Sequence, residues 1–259
     1  MEAGPVRFAL EDGQALLTID RPDARNALSG EVVEALWSGL DRAEAEPGAR
    51  VVVLTGAGAR AFSAGGDLTA VDGEGFLAGH DGRRRYGLLL ERIAAFPKPT
   101  LARVNGHALG GGLGLVCACD LAVAADHAQL GTPEVDLGLF PMMVLTWLQR
   151  HLGRKRALEM VLTGARLPAH EALDWGLVNR VVPAAELDAA TQALVILLAG
   201  KSQAVLALGK RAFRRAEGLP LESATELLAA ELSVLLTTDD AAEGVAAFLS
   251  KRPPAWKDR

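Results

Sequence analysis

"KPTLARVNGHALGGGLGLVCACDLAVAA", residues 98–125, is the stretch on which the fold turns. It opens with a strand after a proline (98–104). It then runs through Gly110, Gly111, Gly112 and Gly114, forms a short apolar helix to about Cys119, and ends in a second strand (120–125). Glycine in a helix or strand interior costs about 0.5–1 kcal/mol relative to alanine. Four glycines in five residues therefore point to a backbone that must be approached closely. N–H groups at a helix start have no intrahelical partner and carry partial positive charge. A glycine cluster at that place suits an electron-rich ligand atom.

The same alternation extends outward. "QALLTID" (14–20) reads as a strand, "RPDARNALS" (21–29) as turn chemistry, and a helix starts at the N-cap candidate Ser29, with Val32, Val33, Leu36, Trp37 and Leu40 on one face. "VVVLT" (51–55) is a short, wholly apolar strand of the kind found in parallel sheets. "GAGARAFSAGGD" (56–67) reads as one long glycine-rich loop, and 83–96 as a helix. The first half is thus α/β. Beyond about residue 140 the pattern is helical, with "LVNRVV" (177–182) as its only strand.

The bulk numbers narrow the function. The chain has 259 residues, half of them hydrophobic, which suffices for a sizeable core. A net charge of −5 argues against a general nucleic-acid or membrane-surface binder. The N-terminus lacks the apolar core of a signal peptide, and no run reaches the roughly 18 uncharged apolar residues of a membrane span. Cys117 and Cys119, a lone C-x-C in an apolar segment, read as core residues of a protein in a reducing, cytoplasmic compartment. The five histidines show no metal spacing, and His107, beside the glycine cluster, reads as structural.

Two glycine loops stand out, "FSAGGD" (62–67) and Gly110–Gly112. Together they could aim two backbone N–H groups at one oxygen, the arrangement that stabilises an oxyanion; tight turns with close packing are the other reading. "GAGARA" (56–61) loosely fits G-x-G-x-x-A, but the residues after it make a poor helix, so a dinucleotide site is disfavoured. Asp67 suits a turn brace better than an acid catalyst. Glu134, in "LGTPEVDLGLFP" (130–141), follows a proline in an uncharged neighbourhood that would raise its pKa toward neutrality. Asp136 is a second, anonymous loop acid.

These pieces, with "TIDRPDARNALS", "AQLGTPEVDLGLFP" and the tail "EGVAAFLSKRPPAW", resemble the crotonase superfamily, the enoyl-CoA hydratase/isomerase family, nearly from end to end. The resemblance implies an α/β fold: a crotonase-like spiral of ββα units over 1–195, holding the acyl-CoA site, and a C-terminal helical region over 196–259 that builds trimers, often paired into hexamers. It implies acyl-CoA thioesters of fatty acid metabolism as substrates, no cofactor beyond the CoA of the substrate, no metal, and neither nucleic acid nor membrane as partner. The thioester oxygen falls between the N–H groups of Gly66 and Gly111. Ala24 and Arg25 fall near the nucleotide; Ala64, Asp67 and Leu68 along the CoA path; and Phe248 and Lys251 toward the CoA of a neighbouring subunit.

The chain departs from the two-acid pattern of the family's hydratases. Glu134 matches one glutamate, but the position of the other is Gly114. The residues after Pro141 are bulky, with Met142, Met143 and Val144 making an apolar wall toward the acyl group. Gly114 is expected to free space for a larger acyl group or an ordered water. Hydration of a 2-trans-enoyl-CoA remains the family-level reading. The rivals are 3,2-enoyl-CoA isomerisation with Glu134 as sole base, and acyl-CoA binding without catalysis.

Overall fold

The computed structural model describes residues 4–67 and 75–259. Its centre is a six-stranded sheet in the order β1 (Val6–Glu11), β2 (Gln14–Ile19), β3 (Val51–Gly56), β5 (Thr100–Val104), β7 (Leu121–Ala125) and β10 (Arg180–Val182). A second sheet is ordered β4 (Ala61–Ser63), β6 (His107–Leu109), β8 (Gln129–Gly131) and β9 (Arg166–Pro168). Pairing is parallel except for β1–β2 and β8–β9.

Three consecutive units explain this topology. β3 leads into β4 and then helix α2 (Phe76–Ala94); β5 into β6 and α3 (Gly111–Ala118); β7 into β8 and α4 (Met142–Thr163). In each unit the first strand joins the large sheet, the second the small one, and the helix buries its apolar residues in the main core. This is the expected ββα spiral. Helix α1 (Gly30–Ala45) precedes the first unit and starts as expected: Ser29 Oγ accepts from Val32 N, and Val32, Val33, Leu36 and Leu40 are buried.

The wholly apolar strands are covered on both faces. Val52, Leu54, Ala102, Val104, Ala122 and Ala124 enter the main core, whereas their neighbours Val51, Val53, Leu101, Val123 and Ala125 enter a second cluster. Leu187, Leu194 and Val195 of α6 (Leu187–Ala199) close that second cluster. The expected division at 195/196 therefore lies inside α6. Beyond it come α7 (Gln203–Ala216), α8 (Leu221–Leu235) and α9 (Asp239–Leu249), while α5 (Ala169–Asp174) links β9 to β10. Lys210 of α7 donates to Asp120 at 2.5 Å and to the Lys98 carbonyl at 2.8 Å, which fastens the helical region to the large sheet.

Three expectations need correction. The stretch 56–67 is not a single loop, because Ala61–Ser63 forms β4. "LVNRVV" is not the only late strand, and only Arg180–Val182 of it is extended in the sheet; β9 precedes it. β1 went unread although Asp12 and Gly13 after it both have positive φ, 47° and 81°, the conformation of a tight hairpin turn. The small-sheet strands span three residues each, too short for alternation to show.

Candidate active site

The two glycine loops meet at one end of the parallel strands. The 21–29 turn holds the first. Arg25 and Asn26 adopt left-handed backbone, at φ 52° and 56°. The buried Asn26 side chain donates to the carbonyls of Ala57 (3.1 Å) and Ala61 (2.8 Å), and the Asn26 main-chain carbonyl accepts from Ser63 Oγ (2.8 Å). Ala64 N donates to Arg25 O, Leu28 N to Gly65 O, and Asp67 N to Leu28 O. The Arg21 guanidinium bridges Asp67 at 2.9 Å and the Ala27 carbonyl at 2.9 Å. Asp67 thus braces the turn.

Gly65, at φ 95°, carries the chain toward the second loop. A Cβ there would lie 2.9 Å from the Leu109 carbonyl and 3.2 Å from Gly111 N, so only glycine fits. The next residue, Gly66, and Gly111 both line a cleft of about 460 Å³, with Leu28, Val33, Phe76, Tyr86 and Met143 among its other walls. Neither the Gly66 nor the Gly111 N–H donates to an acceptor among the described residues. Gly111 is the first residue of α3, where unpaired donors and the helix dipole coincide.

Glu134 approaches from a short 3-10 turn, Pro133–Leu137, that follows β8. Gly110 N donates to Gly131 O at 2.9 Å and ties that strand to the glycine cluster. Gly110 has φ 52°, and a Cβ on it would lie 2.7 Å from Glu134 Oε1, so the carboxylate rests against the residue before the cleft-lining Gly111. Oε2 is buried and has no hydrogen-bond partner among the described residues. Burial raises the Glu134 pKa above the usual carboxylate value. Asp136 differs: it is exposed and turned toward Gly164.

Gly114 does not free space. A Cβ built on it falls well inside van der Waals contact distance of the Tyr86 hydroxyl, and 3.2–3.3 Å from Val144 Cγ2 and Leu90 Cδ1. Tyr86 comes from α2 and donates to the Gly111 carbonyl at 2.5 Å. Sequence reading missed it because a tyrosine in a helix, far from both loops in the chain, carries no local signal.

The remaining expected residues scatter. Ala24 and Arg25 are exposed on the turn bonded to Ala64, beside the cleft loop. Leu68 lies outside the described residues. Met142 is 66% exposed, and its neighbour Met143 lines the cleft instead. Phe248 and Lys251 are exposed at the end of α9 and do not line the cleft of their own chain. His107 accepts from Gln129 N at 3.1 Å through Nδ1, and burial lowers its pKa, in keeping with a structural role. Cys117 and Cys119 are buried free thiols, and burial pushes the Cys117 pKa up to about 12. Among the described residues no group of three or more His, Cys, Asp or Glu side chains is arranged to hold a metal, and no single helix is long and apolar enough to cross a membrane.

This architecture has clear relatives. The enoyl-CoA hydratase/isomerase family profile matches residues 10–259. A putative enoyl-CoA hydratase of Thermus thermophilus is 40% identical, covering 93% of this chain and 96% of its own length. The 2,3-dehydroadipyl-CoA hydratase of Escherichia coli is 37% identical over 94% of this chain and 95% of its own. The crystal structure of an enoyl-CoA hydratase from Bacillus anthracis superposes with a TM-score of 0.93 at 32% identity, over 98% of this chain and 100% of that one. The human enoyl Coenzyme A hydratase domain-containing protein 3 gives 0.93 at 34%, over 97% and 100%. With its three ββα turns, its paired glycine loops and this match over almost its whole length, the chain belongs to the enoyl-CoA hydratase/isomerase family.

Proposed function

We propose that this enzyme adds water across the double bond of a 2-trans-enoyl-CoA. The thioester oxygen sits between the N–H groups of Gly66 and Gly111. Glu134 takes a proton from water as the water oxygen bonds to Cβ, the C=C electrons move toward the thioester oxygen as an enolate, and Glu134 returns the proton to Cα. The observation that carries this reading is the buried, unpartnered Glu134 Oε2 beside Gly110, the residue before the cleft-lining Gly111. A carboxylate left without partners costs stability, and functional sites are where such costs persist. Each oxyanion donor contributes about 10²–10³ in rate and a general acid–base group about 10²–10⁴.

The CoA moiety follows the 24–25 turn and residues 64–67, with Met142 at the outer edge of the acyl path. Phe248 and Lys251 reach the CoA of a neighbouring subunit in a trimer or a hexamer of two trimers. The exposure of Phe213 (72%) and Leu232 (55%) on α7 and α8 supports self-association. No cofactor is required, and the enzyme works in the cytoplasm.

One observation favours a second reading. No carboxylate stands at position 114, and 3,2-isomerisation needs only one base, which Glu134 provides. Product analysis decides. The protein is incubated separately with a trans-2-enoyl-CoA and a trans-3-enoyl-CoA of medium chain length. Gain of one water from the 2-enoyl substrate is expected. Conversion of the 3-enoyl substrate at constant mass, without hydration, establishes the isomerase instead. Binding without turnover of either leaves an acyl-CoA-binding protein.

A further inference from the structure

We infer that the Tyr86 hydroxyl takes the place of the second carboxylate, holding the reacting water jointly with Glu134. This rests on the hydratase reading above. Three observations carry it. The hydroxyl oxygen occupies the point where a side chain on residue 114 would begin. Tyr86 lines the cleft together with Gly66 and Gly111. Its proton is committed to the Gly111 carbonyl, and no donor reaches its oxygen among the described residues.

The donor–acceptor balance identifies the guest. A Cβ on Gly110 would lie 3.7 Å from Glu134 Oε2, and a Cβ on Gly111 would lie 3.3 Å from Tyr86 Oη, so the two acceptors flank consecutive residues of one turn. Oε2 of Glu134 has no partner, and the Tyr86 oxygen keeps lone pairs. Two acceptors without a donor are complemented by a molecule with two protons to give and a lone pair left over. Water bound this way donates to Tyr86 and to Glu134 and presents its oxygen to Cβ. Burial, with the charge of Glu134 nearby, holds the phenol pKa well above its usual value, so Tyr86 stays a neutral hydroxyl that orients water and does not itself exchange protons. In the step, one O–H bond of water breaks toward Glu134, a C–O bond forms at Cβ, and the proton on Glu134 passes to Cα. Tyr86 keeps its own proton throughout.

The test compares wild type and Tyr86→Phe in two assays. One is hydration of a trans-2-enoyl-CoA. The other is exchange of the α-proton of a saturated acyl-CoA into heavy water, which uses Gly66, Gly111 and Glu134 but no water at Cβ. Expected is a loss of about 10–100-fold in hydration kcat, the scale of one hydrogen bond to a reacting group, with KM and the exchange rate altered less than about threefold. Hydration unchanged, or hydration and exchange lost in equal measure, overturns the assignment; the second result means that Tyr86 only props Gly111. A companion pair keeps the test decisive. Gly114→Glu loses hydration in the wild-type background, and combining it with Tyr86→Phe regains at least about tenfold over Tyr86→Phe alone, as a second acid–base group should. No regain from a folded double variant counts against the hydroxyl standing in for a carboxylate. Wild-type enzyme that adds no water overturns the hydratase reading itself, an outcome visible before any variant is measured.

Discussion

The two groups that pack behind the cleft-lining Gly111 are built on opposite principles. On the β8–α4 side, Glu134 is a titratable group kept partly unsatisfied: one oxygen without a partner and a pKa raised by burial. On the α2–α3 side, Gly114 and Tyr86 are fitted so closely that an added Cβ would displace the Tyr86 hydroxyl, a neutral group already bonded to Gly111. Between them run the N–H groups of Gly66 and Gly111. The first group is equipped to move a proton and the second to hold a shape. On the hydratase reading proposed above, this arrangement divides the labour that the two-acid pattern would give to a pair of carboxylates.

The contrast breaks first at Glu134. Glu134→Gln should lose about 10²–10⁴ in kcat with acyl-CoA binding retained, checked by steady-state kinetics and calorimetric titration. The same residue sets two pH dependences of opposite sense. As a base it must be ionised, so wild-type kcat/KM falls with decreasing pH at an inflection above the ordinary glutamate value. Because folding raises this pKa, the associated stability is present below the unfolded-state value and is lost as pH rises through the folded-state value. At neutral pH the ionised Glu134 therefore costs stability, and Glu134→Gln should melt above wild type by calorimetry. A variant that is inactive and also less stable would show that Glu134 serves the fold.

Gly111→Pro removes one N–H at a helix position that tolerates proline, and should lose about 10²–10³ in rate with the circular dichroism spectrum unchanged. Normal turnover would exclude Gly111 as a donor. On the packed α2–α3 side, Gly114→Ala should destabilise the protein by about 1–3 kcal/mol through overpacking against the Tyr86 hydroxyl, read by chemical denaturation, and Tyr86→Phe should relieve much of that loss. Smallest is the brace at the edge of the cleft, which Asp67 itself lines. Asp67→Asn weakens the ion pair with Arg21 at a partly buried site and should cost about 1 kcal/mol, with a rise in KM larger than any fall in kcat. An unchanged KM would mean that the 21–29 turn holds Gly66 without it.

Which parts could be read in advance follows from where each constraint resides. The parallel strands were legible because their apolar runs are continuous, and α1 because its cap and its buried stripe lie in one window. Glu134 was legible as a carboxylate in apolar company, and the glycine loops because four glycines in five residues need a cause. The three-residue strands of the small sheet and the tight fit at Gly114 were not. That fit depends on Tyr86, 28 positions earlier, and no local pattern joins the two. For the same reason the sequence suggested open space where the structure has a hydroxyl. The choice between Met142 and Met143 as cleft residue hangs on helix phase at the start of α4, which a single window does not fix.

The closeness of Gly114 and Tyr86 also constrains how such a site can change over time. A carboxylate arriving at 114 while the tyrosine is present meets an occupied position, and loss of the hydroxyl alone leaves the cleft with one acid and nothing opposite it. The two states are therefore not connected by equivalent routes. The passage runs through an intermediate that has already lost the hydroxyl, is viable only if the enzyme tolerates weak activity, and becomes advantageous at the second substitution. If Tyr86 holds the reacting water as inferred above, residues 86 and 114 are expected to change together, and a survey of substitutions at either position alone would miss that dependence.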